Sequence, residues 1–187
     1  MLSELQQPKA GCFLLSEPYM QDDNFRSSVV FLCEHSETAT FGLVLNRPLD
    51  LTINQAVQDF PELNAPLFLG GPVQNDTLHF LHSRPDLIED GIEVIDGVFW
   101  GGNFEQLKML IDTNQIAEDD VKFFLGYSGW EAGQLDRECG EKAWIVVQAE
   151  KEYIFSVESS NMWRSVLKNM GEKFKLFSNL PDDPTMN

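Results

Sequence analysis

Short apolar runs alternate with polar stretches along the first third of the chain: GCFLLS at 11–16, SVVFLC at 28–33 and FGLVLN at 41–46. Runs this short, rich in β-branched and aromatic residues and bounded by turn formers, predict buried strands. The polar loop EHSETAT joins the second to the third and suits an antiparallel hairpin. Thr52 is placed to cap a short helix that reaches Phe60 and ends at Pro61. PLFLGGPV at 66–73 predicts a strand broken by Gly70-Gly71-Pro72, with TLHFLH at 77–82 as its hairpin partner.

The pattern continues in the same style. GIEVIDGVFWGG at 91–102 alternates about Asp96-Gly97, the strongest short hairpin signal in the chain. Asn103 caps a helix with Phe104, Leu107, Leu110 and Ile111 on one face, and Gln106 stands three residues after the cap. VKFFLGY at 121–127 is a strand running into SGWEAGQLDREC, where Gly129 and Gly133 bracket the start of a short helix. AWIVVQA at 143–149 returns to strand pattern, and NMWRSVLKNMG is helical with Gly171 as its stop. The acidic end, 180–187, is expected to be loose. Short strands in hairpins interrupted by a few helices predict an α+β fold with residues 1–187 in one domain.

Composition sharpens this picture. With 43% hydrophobic residues and 14 phenylalanines the chain has ample material for a core. Thirteen basic against thirty acidic side chains give a net charge of −17, which repels nucleic-acid phosphates and anionic lipid. Direct nucleic-acid binding and membrane association are therefore disfavoured. No run has the eighteen or so apolar residues of a membrane span, and the N-terminus lacks a signal-like segment. The three cysteines are far apart and form no CxxC pair, which fits free thiols in the cytoplasm and no cofactor or metal.

Three stretches carry candidate chemistry. In the first, strand alternation places Cys33 and His35 on one face and Glu34 on the other. A thiol beside an imidazole is the pairing that activates cysteine nucleophiles, while a small buried hydrophobe is the commoner role of a free cysteine. In the second, a hairpin of 28–33 and 41–46 brings Arg26 and Arg47 to one end, where Asn46 can pin the turn. Two guanidiniums there could grip a carboxylate or phosphate, or be used in local ion pairs. The third, LGYSGWEAGQLDRE at 125–138, has glycines at a helix start, as anion sites do, but departs from the phosphate-binding and nucleophile-elbow motifs. Tyr127 and Trp130 are pocket wall or core. His79 and His82, three apart on a strand, face opposite ways and cannot chelate one metal together.

The succession RSSVVFLCEH, FGLVLNRP, LGGPV with TLHFLH, GYSGWEAGQLDRE, Trp144 and MWRSVL resembles the AlgH-like family of bacterial proteins, from Gly11 to the end of the chain. The resemblance implies a largely antiparallel sheet bent into a pseudo-barrel and flanked by helices. It also implies a cytoplasmic protein labelled a transcriptional regulator, with no established biochemical activity. The family's motif positions fall on Arg26, Ser27, Glu34, His35, Gly42, Asn46, Arg47, Pro48, Gly70, Gly71, Pro72, His82, Gly126, Trp130, Gly133, Gln134, Leu135, Glu138, Trp163 and Arg164; Asp136 stands where the family more often has Glu.

Together these readings predict a non-enzymatic binding module. Its ligand-binding residues are Arg26, Glu34, His35, Asn46, Arg47, Gly70, Gly71, Trp130 and Gln134, gathered round one polar cleft that takes a small anion or a protein partner. The alternative is an acyl- or thiol-transfer enzyme using Cys33 and His35. The oligomeric state is left open.

Overall fold

A computed structural model describes residues 2–4, 7–156 and 158–179. The strands are β1 (Cys12–Ser16), β2 (Val29–His35), β3 (Ala39–Val44), β4 (Pro48–Thr52), β5 (Pro66–Leu69), β6 (Val73–His82), β7 (Ile92–Ile95), β8 (Val98–Trp100), β9 (Val121–Glu131) and β10 (Trp144–Gln148). They form a large sheet in the order β10-β1-β2-β3-β9-β6-β8-β7, with β5 beside β9 and β4 beside β5. Every pairing is antiparallel except that of β5 with β9. The sheet rolls up without closing. Ile95 of β7 comes so near the start of β1 that a Cβ on Gly11 would lie 2.6 Å from its methyl, yet the two strands do not pair.

Alternation along the strands divides the apolar residues between the two faces. Phe13, Leu15, Val29, Phe31, Leu43, Leu45 and Phe124 point inward and are covered by Met162, Trp163, Val166 and Leu167 of the helix α5 (Met162–Asn169). On the outside, Leu67, Phe80 and Phe123 lie under Leu107, Leu110 and Ile111 of α2 (Phe104–Asp112). Leu14, Val30, Leu32 and Val44 lie under Leu135 of α3 (Gln134–Gly140). The Asn103 side chain accepts the Gln106 N–H at 3.0 Å, capping α2 as its sequence predicts. The Gln106 side chain accepts from the backbone of Glu89 at 2.8 Å, tying the preceding loop to the helix.

The long strand β9 joins the two halves of the sheet. Val121, Phe123 and Phe124 pair with β5 or β6, whereas Gly129, Trp130 and Glu131 pair with β3. The change of partner falls beside Gly126, whose φ of 67° suits glycine, and the Gly70-Gly71 turn crosses β9 there. A Cβ on Gly71 would lie 2.3 Å from the Tyr127 carbonyl and 2.4 Å from the Ser128 nitrogen. These glycines permit backbone to pass over backbone.

Several elements differ from the sequence expectation. β9 continues through Gly129 to Glu131, so Gly133 alone, at φ 68°, marks the start of α3. β6 begins at Val73, because the residues after the glycine turn still pair with β9. β4 was not anticipated, and the helix α1 (Ile53–Ala56) stops well before Phe60. A short α4 (Lys151–Ile154) follows β10, and Gly171 ends α5 only to start α6 (Glu172–Ser178) at once. The end expected to be loose, 180–187, lies outside the described residues.

Candidate functional site

The open end of the β2–β3 hairpin is a tightly tied turn. Asn46 accepts the Val29 N–H at 2.9 Å and donates its amide to the Ser27 carbonyl at 2.9 Å, holding Ser27 in a left-handed conformation at φ 51°. Beside it the Arg47 Nη2 donates to the Arg26 carbonyl at 2.8 Å, so the hairpin gathers Arg26 and Arg47 at one point. Arg26 pairs with Asp23 at 2.7 Å. Partial burial lowers the basicity of Arg47, and the charges of Asp22 and Asp23 oppose that effect. A guanidinium stays charged regardless, and Arg47 has further N–H groups pointing away from the one it uses on Arg26.

His35 lies at the other end of the same hairpin. Its Nδ1 sits 2.6 Å from the Thr40 hydroxyl, and its Nε2 lies 3.9 Å from the Asp136 carboxylate of α3. The seven residues of β2 separate Val29 from His35 by about 20 Å at roughly 3.3 Å per residue. Arg26 and Arg47 are joined at one end of the hairpin and His35 is held at the other, and among the described residues no hydrogen bond or ion pair links the two groups.

The expected sharing of a face by Cys33 and His35 is also corrected. A bulge lies between Leu32 and Glu34, where β2 has one residue more than β3, and it reverses the alternation beyond Cys33. Cys33 points into the inner core while His35 turns outward toward α3. Burial raises the Cys33 thiol far above the ordinary range, and its one polar contact is a weak one, 3.9 Å from the Phe31 carbonyl. This arrangement opposes the nucleophile reading.

The GYSGWEAGQL stretch uses its polar groups within the protein. Glu138 accepts the indole N–H of Trp130 at 3.0 Å and of Trp144 at 2.8 Å on one oxygen, and the Gln134 amide at 2.9 Å on the other. The Gln134 carbonyl oxygen accepts from the Glu131 backbone at 3.0 Å. Phe25 stacks on Trp130 and meets Trp144 edge-on, sealing the two indoles. Ser128 is buried and donates to the Gly70 carbonyl at 3.0 Å. Trp130 and Gln134 are thus held by Glu138, while Gly70 and Gly71 lie against Ser128 and Tyr127.

One group escaped the sequence reading as a group. Phe41, Tyr127, His79 and Trp100 sit on the successive strands β3, β9, β6 and β8 and meet at one rim of the roll. Phe41 is stacked between Trp100, 4.5 Å away, and Tyr127, 4.7 Å away, with His79 edge-on at 5.1 Å. Glu34 is the cross-strand neighbour of Phe41 and is exposed. His79 and His82 point to opposite faces, the second against Phe99 and Phe80. Deeper in the roll, Lys122 is buried, with its Nζ 4.0 Å from the Phe68 ring centre and donating to the Ser156 carbonyl at 3.0 Å. Desolvation lowers its pKa to about 7.

The fold and motifs are those of a known family. The AlgH-like family model matches residues 13–175, and the chain belongs to that family. It is 41% identical to a UPF0301 protein of Chlorobium limicola over the whole of both chains, and 42% identical to one of Chlorobaculum parvum over the same extent. The solution structure of the AlgH protein from Pseudomonas aeruginosa is similar with a TM-score of 0.74 at 26% identity, covering 95% of this chain and 98% of that one. The crystal structure of protein DIP2367 from Corynebacterium diphtheriae shares the fold with a TM-score of 0.74 at 23% identity, covering 95% of each chain. No helix among the described residues is long and apolar enough to cross a membrane.

Proposed function

We propose that the protein is a binding module, not an enzyme, and that Arg26 and Arg47 hold an anionic group, carboxylate or phosphate, on a small ligand or a partner. The observation that carries this reading is the bond from Arg47 to the Arg26 carbonyl, which fixes the Arg47 guanidinium against the backbone of Arg26 on a turn already pinned by Asn46. Preorganisation of this kind lowers the ordering cost of a bidentate contact. Asp22 and Asp23 compete for the same cations, so the site favours a ligand that offers two oxygens at once over a single carboxylate oxygen. A regulatory role of the kind the family label names would then pass through a bound ligand or partner, because the net charge of −17 opposes direct contact with DNA. Cytoplasmic placement fits the free cysteines.

The test is a titration with inorganic phosphate followed by the side-chain N–H resonances of arginine in the intact protein. Saturable shifts of Arg26 and Arg47, weakened about tenfold or more in Arg47→Lys, are expected because lysine keeps the charge and loses the fork. Shifts that survive both Arg47→Ala and Arg26→Ala, or an absence of any saturable shift, would rule the site out.

A further inference from the structure

The aromatic rim at the opposite end of the hairpin presents a different chemistry. Its rings are only partly buried, and they continue into Ile92, the cross-strand neighbour of Trp100, which is 58% exposed. Tyr127 has both Phe41 and His79 against its ring, whereas Trp100 has Phe41 as its one ring neighbour among the described residues and keeps a face that no ring covers. At Gly129 a Cβ would lie 3.1 Å from the Tyr127 ring edge, and glycine leaves that edge open. Half-buried rings that run into an exposed isoleucine are the kind of apolar surface that interaction sites use.

Charge decides what the surface fits. Glu34 stands beside Phe41 as its cross-strand neighbour, about 5 Å away between Cβ atoms, and its carboxylate is exposed. The one titratable base in the rim, His79, has a buried Nε2 without a partner, and burial lowers its pKa. It therefore adds no positive charge at neutral pH. Ring faces, a free carboxylate and a protein field of −17 all attract cations.

We propose that this rim is a docking surface for a basic peptide segment, one of whose lysine or arginine side chains lies over the face of Trp100 that no ring covers, with Glu34 drawing the segment's charge to the rim. The site is separate from the arginine turn and does not depend on it. It gives the molecule two ends of opposite preference: one takes an anionic group, the other a cationic one.

The intact protein is titrated with a tri-arginine peptide, with tri-glutamate as control, while the indole N–H of Trp100 is followed by NMR. Tri-arginine is expected to shift that resonance saturably and tri-glutamate to leave it in place. Glu34→Gln, at an exposed position that folding tolerates, should weaken tri-arginine binding about tenfold. Arg47→Ala should leave it unchanged, which keeps this result independent of the phosphate experiment. If the Trp100 resonance does not respond, or responds equally in the parent and Glu34→Gln, the rim is only the cap of the inner core and the proposal falls.

Discussion

Glu138 shows how much of the most motif-like stretch is structural. One carboxylate takes three donors, two indoles and an amide, and as an acceptor-only group it satisfies all of them. Glu138→Gln keeps the shape but replaces one acceptor oxygen with an NH2, which must face at least one of those donors. A buried donor left unpaired costs about 1–3 kcal/mol. The variant should therefore lose about that much stability in urea, with tryptophan emission moving to the red as Phe25, Trp130 and Trp144 loosen. Unchanged stability would mean that the indoles do not rely on the carboxylate. At this scale the sequence was partly legible: Arg26 and Arg47 are gathered by hairpin geometry alone, and Asn46 pins the turn its amide suits. The Cys33–His35 pairing misled, because alternation holds only in an unbulged strand and nothing in VVFLCEH announces the extra residue. The aromatic rim was illegible, since its members come from four separated strands and meet only once the sheet order is set.

Among the elements, β9 and the glycine turn that crosses it decide whether the two halves of the sheet can join. Gly71 has φ 154° and no room for a side chain, with backbone atoms of Tyr127 and Ser128 within 2.4 Å of where a Cβ would stand. Gly133 has a left-handed φ of 68° but nothing within 4 Å. Gly133→Ala therefore meets only the left-handed penalty, about 1–2 kcal/mol. Gly71→Ala must displace backbone in β9 and should cost more than about 4 kcal/mol, in the range reserved for severe core disruptions. Urea midpoints of the two variants check this; equal losses would mean that the crossing yields easily. The hairpins and α2 were readable because their signals are local: alternation, Asp96-Gly97 and the Asn103 cap. The parallel contact of β5 with β9, the edge strand β4 and the continuation of β9 past Gly129 were not, because each depends on partners distant in sequence that override local turn propensity.

For the whole molecule, buried titratable groups set the pH at which the fold is most stable. Stability rises with pH wherever the unfolded chain holds more protons than the folded one. Burial lowers the pKa of His79 and His82 from 6.5, so stability climbs as pH rises through that value. Lys122 carries the climb further: it loses its proton near pH 7 when folded and near 10.5 when not, and in between one proton adds up to about 1.4 kcal/mol per pH unit. The thiols reverse the trend. Cys12 is raised from 9.0 to about 11, Cys139 to about 12 and Cys33 further still, so above pH 9.0 the unfolded chain sheds thiol protons that the folded one keeps. Falling terms from the thiols then outnumber the one rising term from the lysine. The expected curve has its maximum near pH 9, above the usual range of about 5 to 8. Lys122→Met removes the charge that resists burial and with it the rise above pH 7, at the cost of the Ser156 contact, so its curve should be flat from pH 7 to about 8 and fall from there as the thiols of the unfolded chain ionise. Urea unfolding at intervals from pH 6 to 10.5 measures both proteins, and a parent curve that is flat between pH 7 and 8 would show that Lys122 keeps its proton inside the roll.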